Sequence, residues 1–481
     1  METAARQARL KKVELRLMKR ILATAANKKI GSEVTLAGWV QARRDHGKII
    51  FLDLRDASGL TQTVATPKEE AAYKVANTLG AEDVIEVIGE VKERPTANVN
   101  PDLETGKIEV SLKSITIINK AKELPLPIEG DGYDIDEMIR MKYRYIDLRR
   151  GRLQRNLKTR HQIATAVREF LNKEGFTEIE TPYLTKTTPE GARDFVVPSR
   201  LQKGKFYALA QAPQQYKQLL QIAGFERYYQ IARAFRDEDL RADRQFEHTQ
   251  IDLEMSFVER EDVLALVEEM LVFVAERLNK KITEKPFPRF THAQALKEFK
   301  ADKFDIRKKG ADASELGFAF VTDFPLFEWN EEEKRWTFSH NPFTAPKPED
   351  IEKVRAEKDI KNIGSLQYDL VCNGLELGSG SIRITDPVLQ KQALKIMGYS
   401  KEEIDADFGH LLKAYEYGAP PHGGIALGLD RLVAVFTGEN SIRETIAFPV
   451  SSSGETSVME APSQLEKKQL KDLGIEVKDR L

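Results

Sequence analysis

An α+β protein of two to three domains is what the sequence predicts, and three observations predict it. At 481 residues the chain exceeds one ordinary domain. Residues 34–118 read as a run of short strands. Beyond Leu124-Pro125-Leu126-Pro127, which reads as a linker, the apolar spacing changes from alternation to a helical repeat. The expected boundaries are a basic extension over 1–30, a barrel over 31–120, a linker or hinge over 121–145 and a large mixed domain over 146–481.

Composition narrows the class. Apolar residues make up 41% of the chain and charged residues 31%, the profile of a soluble globular protein. No run of about 18 apolar residues marks a membrane span, and the N-terminus lacks the pattern of a secretory signal. Cys372 stands alone, which excludes an internal disulfide and a thiolate zinc cluster. Cytoplasm is the expected compartment. The net charge is −2, yet residues 1–30 hold nine Lys or Arg against Glu2 and Glu14. Such an arm can neutralise phosphates and add salt-sensitive affinity for nucleic acid. The plain alternative is a solvated helix. Met18 is a second candidate start.

The strands of the first region are Val34–Val40, Ile49–Leu54, Leu60–Val64, Val84–Val91 and Ile108–Ile118. They are rich in β-branched and apolar residues, and Gly47, Ser58-Gly59, Gly89 and Gly106 punctuate them. This many short strands in about 85 residues suits an OB-fold barrel, which binds single-stranded nucleic acid on one face.

In the larger region Ile163, Val167, Phe170 and Leu171 share one helical face, and Gly175 ends that helix. Phe206–Leu209, Tyr228–Ala232 and Thr249–Phe257 read as strands and Asp262–Leu278 as a long helix. The alternation is too irregular for a doubly wound sheet. Neither a GxGxxG nor a GxxxxGK loop is present. A nucleotide-using enzyme built on this chain needs another way to hold phosphates.

Three segments offer one. The first is Gly175-Phe176-Thr177-Glu178-Ile179-Glu180-Thr181-Pro182. The second is Phe235-Arg236-Asp237-Glu238-Asp239-Leu240-Arg241, followed by Arg244 and His248. The third is Gly423-Gly424-Ile425-Ala426-Leu427-Gly428-Leu429-Asp430-Arg431-Leu432. Each alone is weak, since a glycine-rich turn or a charged turn is common. In this order, behind an OB-like barrel, they resemble motifs 1, 2 and 3 of class II aminoacyl-tRNA synthetases. The resemblance narrows to bacterial-type aspartyl-tRNA synthetases of subclass b. It does so on Thr188-Pro189-Glu190-Gly191-Ala192-Arg193-Asp194-Phe195, on Gln211-Ala212-Pro213-Gln214-Gln215-Tyr216-Lys217, on His340-Asn341-Pro342-Phe343 and on Glu376-Leu377-Gly378-Ser379-Gly380-Ser381-Ile382-Arg383. It covers the chain from about Gly31 to Ser463 with one interruption. The fold it implies is an OB-fold anticodon-binding barrel followed by a catalytic domain on an antiparallel sheet.

The activity implied is activation of L-aspartate by ATP and its transfer to tRNA(Asp). Two anions must meet in the first step, so positioning and charge neutralisation dominate. By resemblance, Arg236 and Arg431 are the catalytic cations, on the α-phosphate and γ-phosphate respectively. Glu238, Gln245, His248 and Glu376 complete the ATP site. Asp369 and Glu376 match the family's Mg²⁺ ligands. Arg383 and Lys217 would hold the aspartate side chain, Asp252 and Gln214 its ammonium group, with Glu190 on a closing loop and His340 nearby. On the barrel, Phe51 and Gln62 match residues that read the anticodon, with Arg43, Arg44 and His46 beside them. Taken singly, each of these is an ordinary surface ion pair, and Phe51 is an ordinary core residue. A homodimer is implied as well.

The chain departs from that pattern in four places. The stretch from Asp305 to Phe320 is too short for the inserted domain usual there. His248 stands where a phenylalanine stacks on adenine, which raises the expectation of an ATP affinity that varies with pH near neutrality. Ala212 replaces a serine, and Asn341 a second histidine. His46 and Ala97 occupy positions where members with relaxed tRNA choice carry similar residues, so tRNA(Asn) is a second candidate partner. The competing readings are an asparaginyl-type or lysyl-type enzyme and a non-catalytic RNA-binding paralogue.

Overall fold

The computed structural model describes residues 20–189, 191–312 and 314–478. Glu190 and the arm before Arg20 lie outside the described residues. The chain divides into two compact units, Met1–Pro125 and Leu126–Leu481.

In the first unit β1 (Glu33–His46), β2 (Ile49–Arg55), β3 (Leu60–Ala65), β4 (Val84–Glu93) and β5 (Ile108–Asn119) close into a barrel of order β1-β2-β3-β5-β4. Every expected strand is present and several run longer. β1 continues to His46 through a register shift between Val40 and Ala42, and such a bulge lets a strand bend around a barrel. Alternation sets the faces. Ile50, Leu52 and Leu54 are buried in the barrel core, so Phe51 between them points outward. The turn Ala23–Lys28, inside the basic 1–30 stretch, buries Ala26 in the same core.

The second unit is built on an eight-stranded sheet. Its strands are β6 (Thr177–Glu178), β7 (Arg227–Phe235), β8 (Glu247–Ser256), β9 (Arg289–Thr291), β10 (Phe318–Thr322), β11 (Gln367–Cys372), β12 (Leu375–Ile382) and β13 (His422–Gly428). They lie in the order β9-β10-β11-β12-β13-β8-β7-β6. The interior pairs are antiparallel, and only the edge pairs β9–β10 and β6–β7 are parallel. One face is apolar. Ile251, Leu253, Ile425 and Leu427 pack there against α1 (Gly151–Lys173) and α3 (Arg260–Arg277). α1 buries Ile163, Val167, Phe170 and Leu171, the stripe read from the sequence, and the chain turns away at Gly175 with φ +78°. α3 starts at a capping box between Glu259 and Asp262.

The period of two that sends Ile251 and Leu253 to the helices sends Gln250, Asp252 and Glu254 to the other face. That polar face carries α2 (Gln214–Ile222) and the candidate site. β11 and β12 form a tight hairpin through Asn373 and Gly374, both at positive φ (52° and 85°). This is the geometry that an Asn-Gly pair favours. Residues 300–317 join a short helix to β10 without a regular element among the described residues. No helix among the described residues is long and apolar enough to cross a membrane.

Candidate active site

A cavity of about 240 Å³ opens on the polar face. It draws Arg236 from the end of β7, Gln250 and Asp252 from β8, Gln214 and Lys217 from α2, and Glu376 and Ser379 from β12. Arg383 follows β12, Arg431 lies on α4 (Leu429–Thr437), and His340 enters from a loop. Glu238, Gln245 and His248 complete the other end. Of the residues read as one constellation for amino acid, ATP and metal, all but Asp369 and the undescribed Glu190 thus line one cavity.

One end is a buried ionic cluster. Lys217 Nζ lies 3.1 Å from Asp252 Oδ2 and 3.2 Å from Glu254 Oε2. Arg383 donates from Nε to Glu254 Oε1 (2.8 Å), from Nη2 to Glu254 Oε2 (3.1 Å) and from Nη1 to Ser381 Oγ (2.6 Å). The glycine at 424 makes room for this. A Cβ there would sit 2.2 Å from Glu254 Oε2 and 2.0 Å from the Leu253 carbonyl. Burial pushes both carboxyls up. In Glu254 the charges of Arg383 and Lys217 overcome it and hold the group at about 2. In Asp252 burial wins over Lys217, and its pKa rises to about 6. Asp252 Oδ1, Gln214 Nε2 and Gln250 Oε1 have no hydrogen-bond partner, a costly state for buried polar atoms and one that a ligand relieves.

The other end sets Arg236, Arg244 and Arg431 among Glu238, Asp243 and Glu376. Arg431 donates to the Glu376 carbonyl (2.9 Å) and to Asp243 Oδ2 (3.1 Å). Its neighbour Asp430 accepts from the Thr249 amide (2.8 Å) and from Arg160, tying α4 to β8 and α1. Glu238 accepts from Arg244 (3.1 Å), and Gln245 is fixed by the Val450 amide (2.7 Å). Glu376 Oε2 pairs with Lys303 Nζ at 2.8 Å. Asp369 is buried one strand away and accepts from Ser379 Oγ and from Gln367 Nε2 (3.2 Å). Burial and the charge of Glu376 push Asp369 up to about 7. No cluster of three or more metal-ligating side chains occurs among the described residues.

Two histidines are held neutral, one of them against expectation. His248 was expected to titrate near neutrality. Its enclosure beside Arg236, Arg431 and Arg233 lowers it to about 3, so it is neutral there, and Gln250 Nε2 lies 3.0 Å from its Nε2. His340 is lowered to about 3 by burial and by Arg383, Lys217 and Arg236. Its Nδ1 lies 3.1 Å from Ser379 Oγ. Asn341 and Ala212 both line the cavity. The Asn341 side chain caps its own loop by accepting from Phe343 N at 2.9 Å. Glu190 lies outside the described residues; Ala192 beyond it accepts from Gln211 Nε2 at 2.8 Å.

On the barrel, Arg44 pairs with Phe51 across β1 and β2, and Asp53 with Gln62 across β2 and β3. These four share the outer face. Arg44 Nη2 donates to Asp53 Oδ1 (2.8 Å), and Gln62 Nε2 to Glu109 Oε2 (3.2 Å). The exposed His46 ring meets Phe51 edge-on at 5.6 Å. Arg43 is held elsewhere, by Asp45 and the Asn77 carbonyl (2.6 Å). Ala97 is exposed in the turn Thr96–Asn98.

Sequence reading missed Glu254, Ser379 and Lys303. The alternation Gln250, Asp252, Glu254 against Ile251, Leu253, Met255 was the available signal for Glu254. Ser379 sits inside a motif already quoted. Lys303 carried no signal, because its approach to Glu376 is purely tertiary.

Comparison with known proteins adds the family. The family described as "tRNA synthetases class II (D, K and N)" matches residues 136–452, and an OB-fold nucleic acid binding domain matches residues 34–118. An aspartate–tRNA ligase of Staphylococcus saprophyticus is 40% identical, over 93% of this chain and 97% of its own. An aspartate–tRNA(Asp/Asn) ligase of Caldanaerobacter subterraneus is 40% identical over 94% and 96%. Both alignments span 574 positions, more than the 481 of this chain, so these relatives carry residues without a counterpart here. Among solved structures, an asparaginyl-tRNA synthetase of Pyrococcus horikoshii complexed with asparaginyl-adenylate shares the fold. Its TM-score is 0.72 at 23% identity, over 89% of this chain and 98% of that one. An aspartyl-tRNA synthetase of Entamoeba histolytica does so with a TM-score of 0.70 at 21% identity, over 90% and 91%.

Proposed function

The chain belongs to the class II tRNA synthetases of the aspartate, lysine and asparagine group, and on that premise we propose that it is an aspartate–tRNA ligase. The observation that carries the choice of amino acid is the buried cluster of Lys217 and Arg383 with Asp252 and Glu254. Two fixed cations suit a substrate side-chain carboxylate. The unpartnered Asp252 Oδ1, with Gln214, suits its ammonium group. Asparagine brings no charge to Lys217 and Arg383, and a site built for a polar partner rejects an analogue that lacks it.

In the first reaction an α-carboxylate oxygen of aspartate bonds to the α-phosphorus of ATP, and pyrophosphate leaves with the electrons of the broken P–O bond. Arg236 neutralises the α-phosphate and the incoming carboxylate, and Arg431 the γ-phosphate. A guanidinium fork suits both. Glu238 and Gln245 meet the nucleotide, and neutral His248 offers adenine a flat face. In the second reaction the terminal ribose hydroxyl of tRNA attacks the aspartyl carbonyl and AMP leaves. By resemblance Glu190 serves bound aspartate, and His340 borders the substrate side chain.

The carboxylates of Glu376 and Asp369 fit Mg²⁺. Both are hard donors, and the burial and the repulsion from Glu376 that raise Asp369 are what a dication would offset. Bound there with ATP, it supplies charge neutralisation to the triphosphate.

The outer face of the barrel reads the anticodon of tRNA(Asp), with Phe51 stacking, Gln62 on a base edge and Arg44 on phosphate. The exposed His46 against Phe51 favours a second reading, that tRNA(Asn) is charged with aspartate as well. The enzyme works in the cytoplasm as a homodimer, the commonest closed assembly.

The test is ATP–pyrophosphate exchange with aspartate, asparagine and lysine offered separately. Exchange is expected with aspartate alone. Preference for another amino acid overturns the substrate, and no exchange with any overturns the enzyme. Charging of purified tRNA(Asn) decides the second reading.

A further inference from the structure

Lys303 belongs to no motif, yet the fold delivers it to Glu376, a residue of the cavity wall. Its segment is clamped on both sides. Phe299 and Phe304 stack with centroids 4.0 Å apart, and the Phe290 ring meets them edge-on at 5.3 and 5.2 Å. The Gly374 amide then donates to the Phe304 carbonyl (3.0 Å), fastening the segment to the β11–β12 hairpin two residues before Glu376. The ammonium group so placed lies 2.8 Å from Glu376 Oε2. Arg431 donates to the carbonyl of the same residue (2.9 Å). Lys303 and Arg431 therefore flank Glu376, and each keeps part of its side chain open to solvent, 43% and 21%.

We propose that Lys303 is a phosphate-positioning cation that occupies the Glu376 carboxylate until nucleotide arrives. Before ATP binds, the ammonium neutralises Glu376 and competes with a divalent cation for it. When the metal nucleotide enters, Glu376 turns to the metal, and the released ammonium lies beside Arg431 to meet the terminal phosphates. The exchange keeps the carboxylate paired, one cation replacing another, so Glu376 is never left without a counter-charge. It also links the two ligands. The metal is held weakly without ATP, and ATP is held by one more cation than the motifs contain. This rests on the ATP site assigned above and not on the choice of amino acid.

The test is direct binding to the full-length protein. Mn²⁺ affinity without nucleotide is read by electron paramagnetic resonance, and affinity for a non-hydrolysable ATP analogue with metal by calorimetry. For Lys303→Met the two should move in opposite directions. Mn²⁺ should bind several-fold tighter without nucleotide, and the analogue about ten-fold weaker, the effect of losing one charge-assisted contact. Lys303→Arg should restore most of the analogue affinity. Aspartate affinity, measured on the same samples, should stay unchanged and certifies a folded site. If both ligands weaken together, Lys303 merely holds its segment and the proposal falls. It falls equally if the analogue binds as in the parent protein. Failure of the aspartate reading would instead appear as exchange with another amino acid while these two shifts persist.

Discussion

Arg383 and Glu254 form a two-point ion pair in the floor of the cavity, with both side chains almost wholly buried. Removing one partner of such a pair strands the other charge, which costs about 3–5 kcal/mol, whereas removing both costs far less. Glu254→Gln should therefore lower stability by roughly 3 kcal/mol, and Glu254→Gln with Arg383→Met by less than the sum of the two single changes. Denaturant unfolding of the four proteins checks this, and additive losses would refute it. The pH dependence has a definite sign. Glu254 is held at about 2 against an ordinary 4.5, so its contribution is complete above 4.5 and disappears as the pH falls toward 2.

Asp252 behaves oppositely. Burial raises it to about 6 from an ordinary 3.8, so its ionised form is costly in the empty site. Only that ionised form holds an ammonium group. Aspartate affinity should be constant above about pH 7 and fall up to about ten-fold per unit below pH 6, where the substrate's own carboxylate is still ionised. Calorimetric titration between pH 5 and 8 reads this directly. Asp252→Asn should bind weakly with no such slope.

Much of this arrangement is legible in the sequence, and the parts that are not share a cause. The barrel strands follow from alternation and glycine punctuation, which are local. The helix through Ile163, Val167, Phe170 and Leu171 follows from its own spacing. Strand order in the large sheet is not local: β12 and β13 pair across an intervening stretch of helices, and nothing in either strand announces the other. The small hairpin of Phe327–Asn330 with Arg335–Phe338 went unread because Glu331-Glu332-Glu333-Lys334 between its strands carries no glycine or proline to mark a turn. His248 was misjudged because its titration depends on burial and on three arginines that only the fold brings near it.

With His248 lowered to about 3, no protonation of its ring occurs between pH 6 and 8, and ATP affinity should be flat across that range as far as this residue is concerned. His248→Phe should keep the affinity, because a flat face remains. His248→Ala should weaken it by roughly 1–3 kcal/mol, the usual worth of one base stack. An affinity that climbs or drops around pH 6.5 in the parent protein and levels off in His248→Phe would contradict the reading.

The barrel and the catalytic unit should separate cleanly by assay. Phe51 projects from β2 between the buried Ile50 and Leu52 and is edged by His46. Phe51→Ala removes a stacking surface worth about 1–3 kcal/mol per base without touching the barrel core. Pyrophosphate exchange, which needs no tRNA, should be unaltered, while KM for tRNA(Asp) rises by about ten-fold or more, in proportion to the lost stack. His46→Ala leaves that stack in place and removes only the exposed imidazole at its edge. Its effect should therefore fall on the choice between tRNAs, with charging of tRNA(Asn) reduced more than charging of tRNA(Asp). Equal losses for both tRNAs would mean that His46 supports Phe51 and reads no base, and a loss of exchange in either variant would mean that the substitution had damaged more than the RNA-binding face.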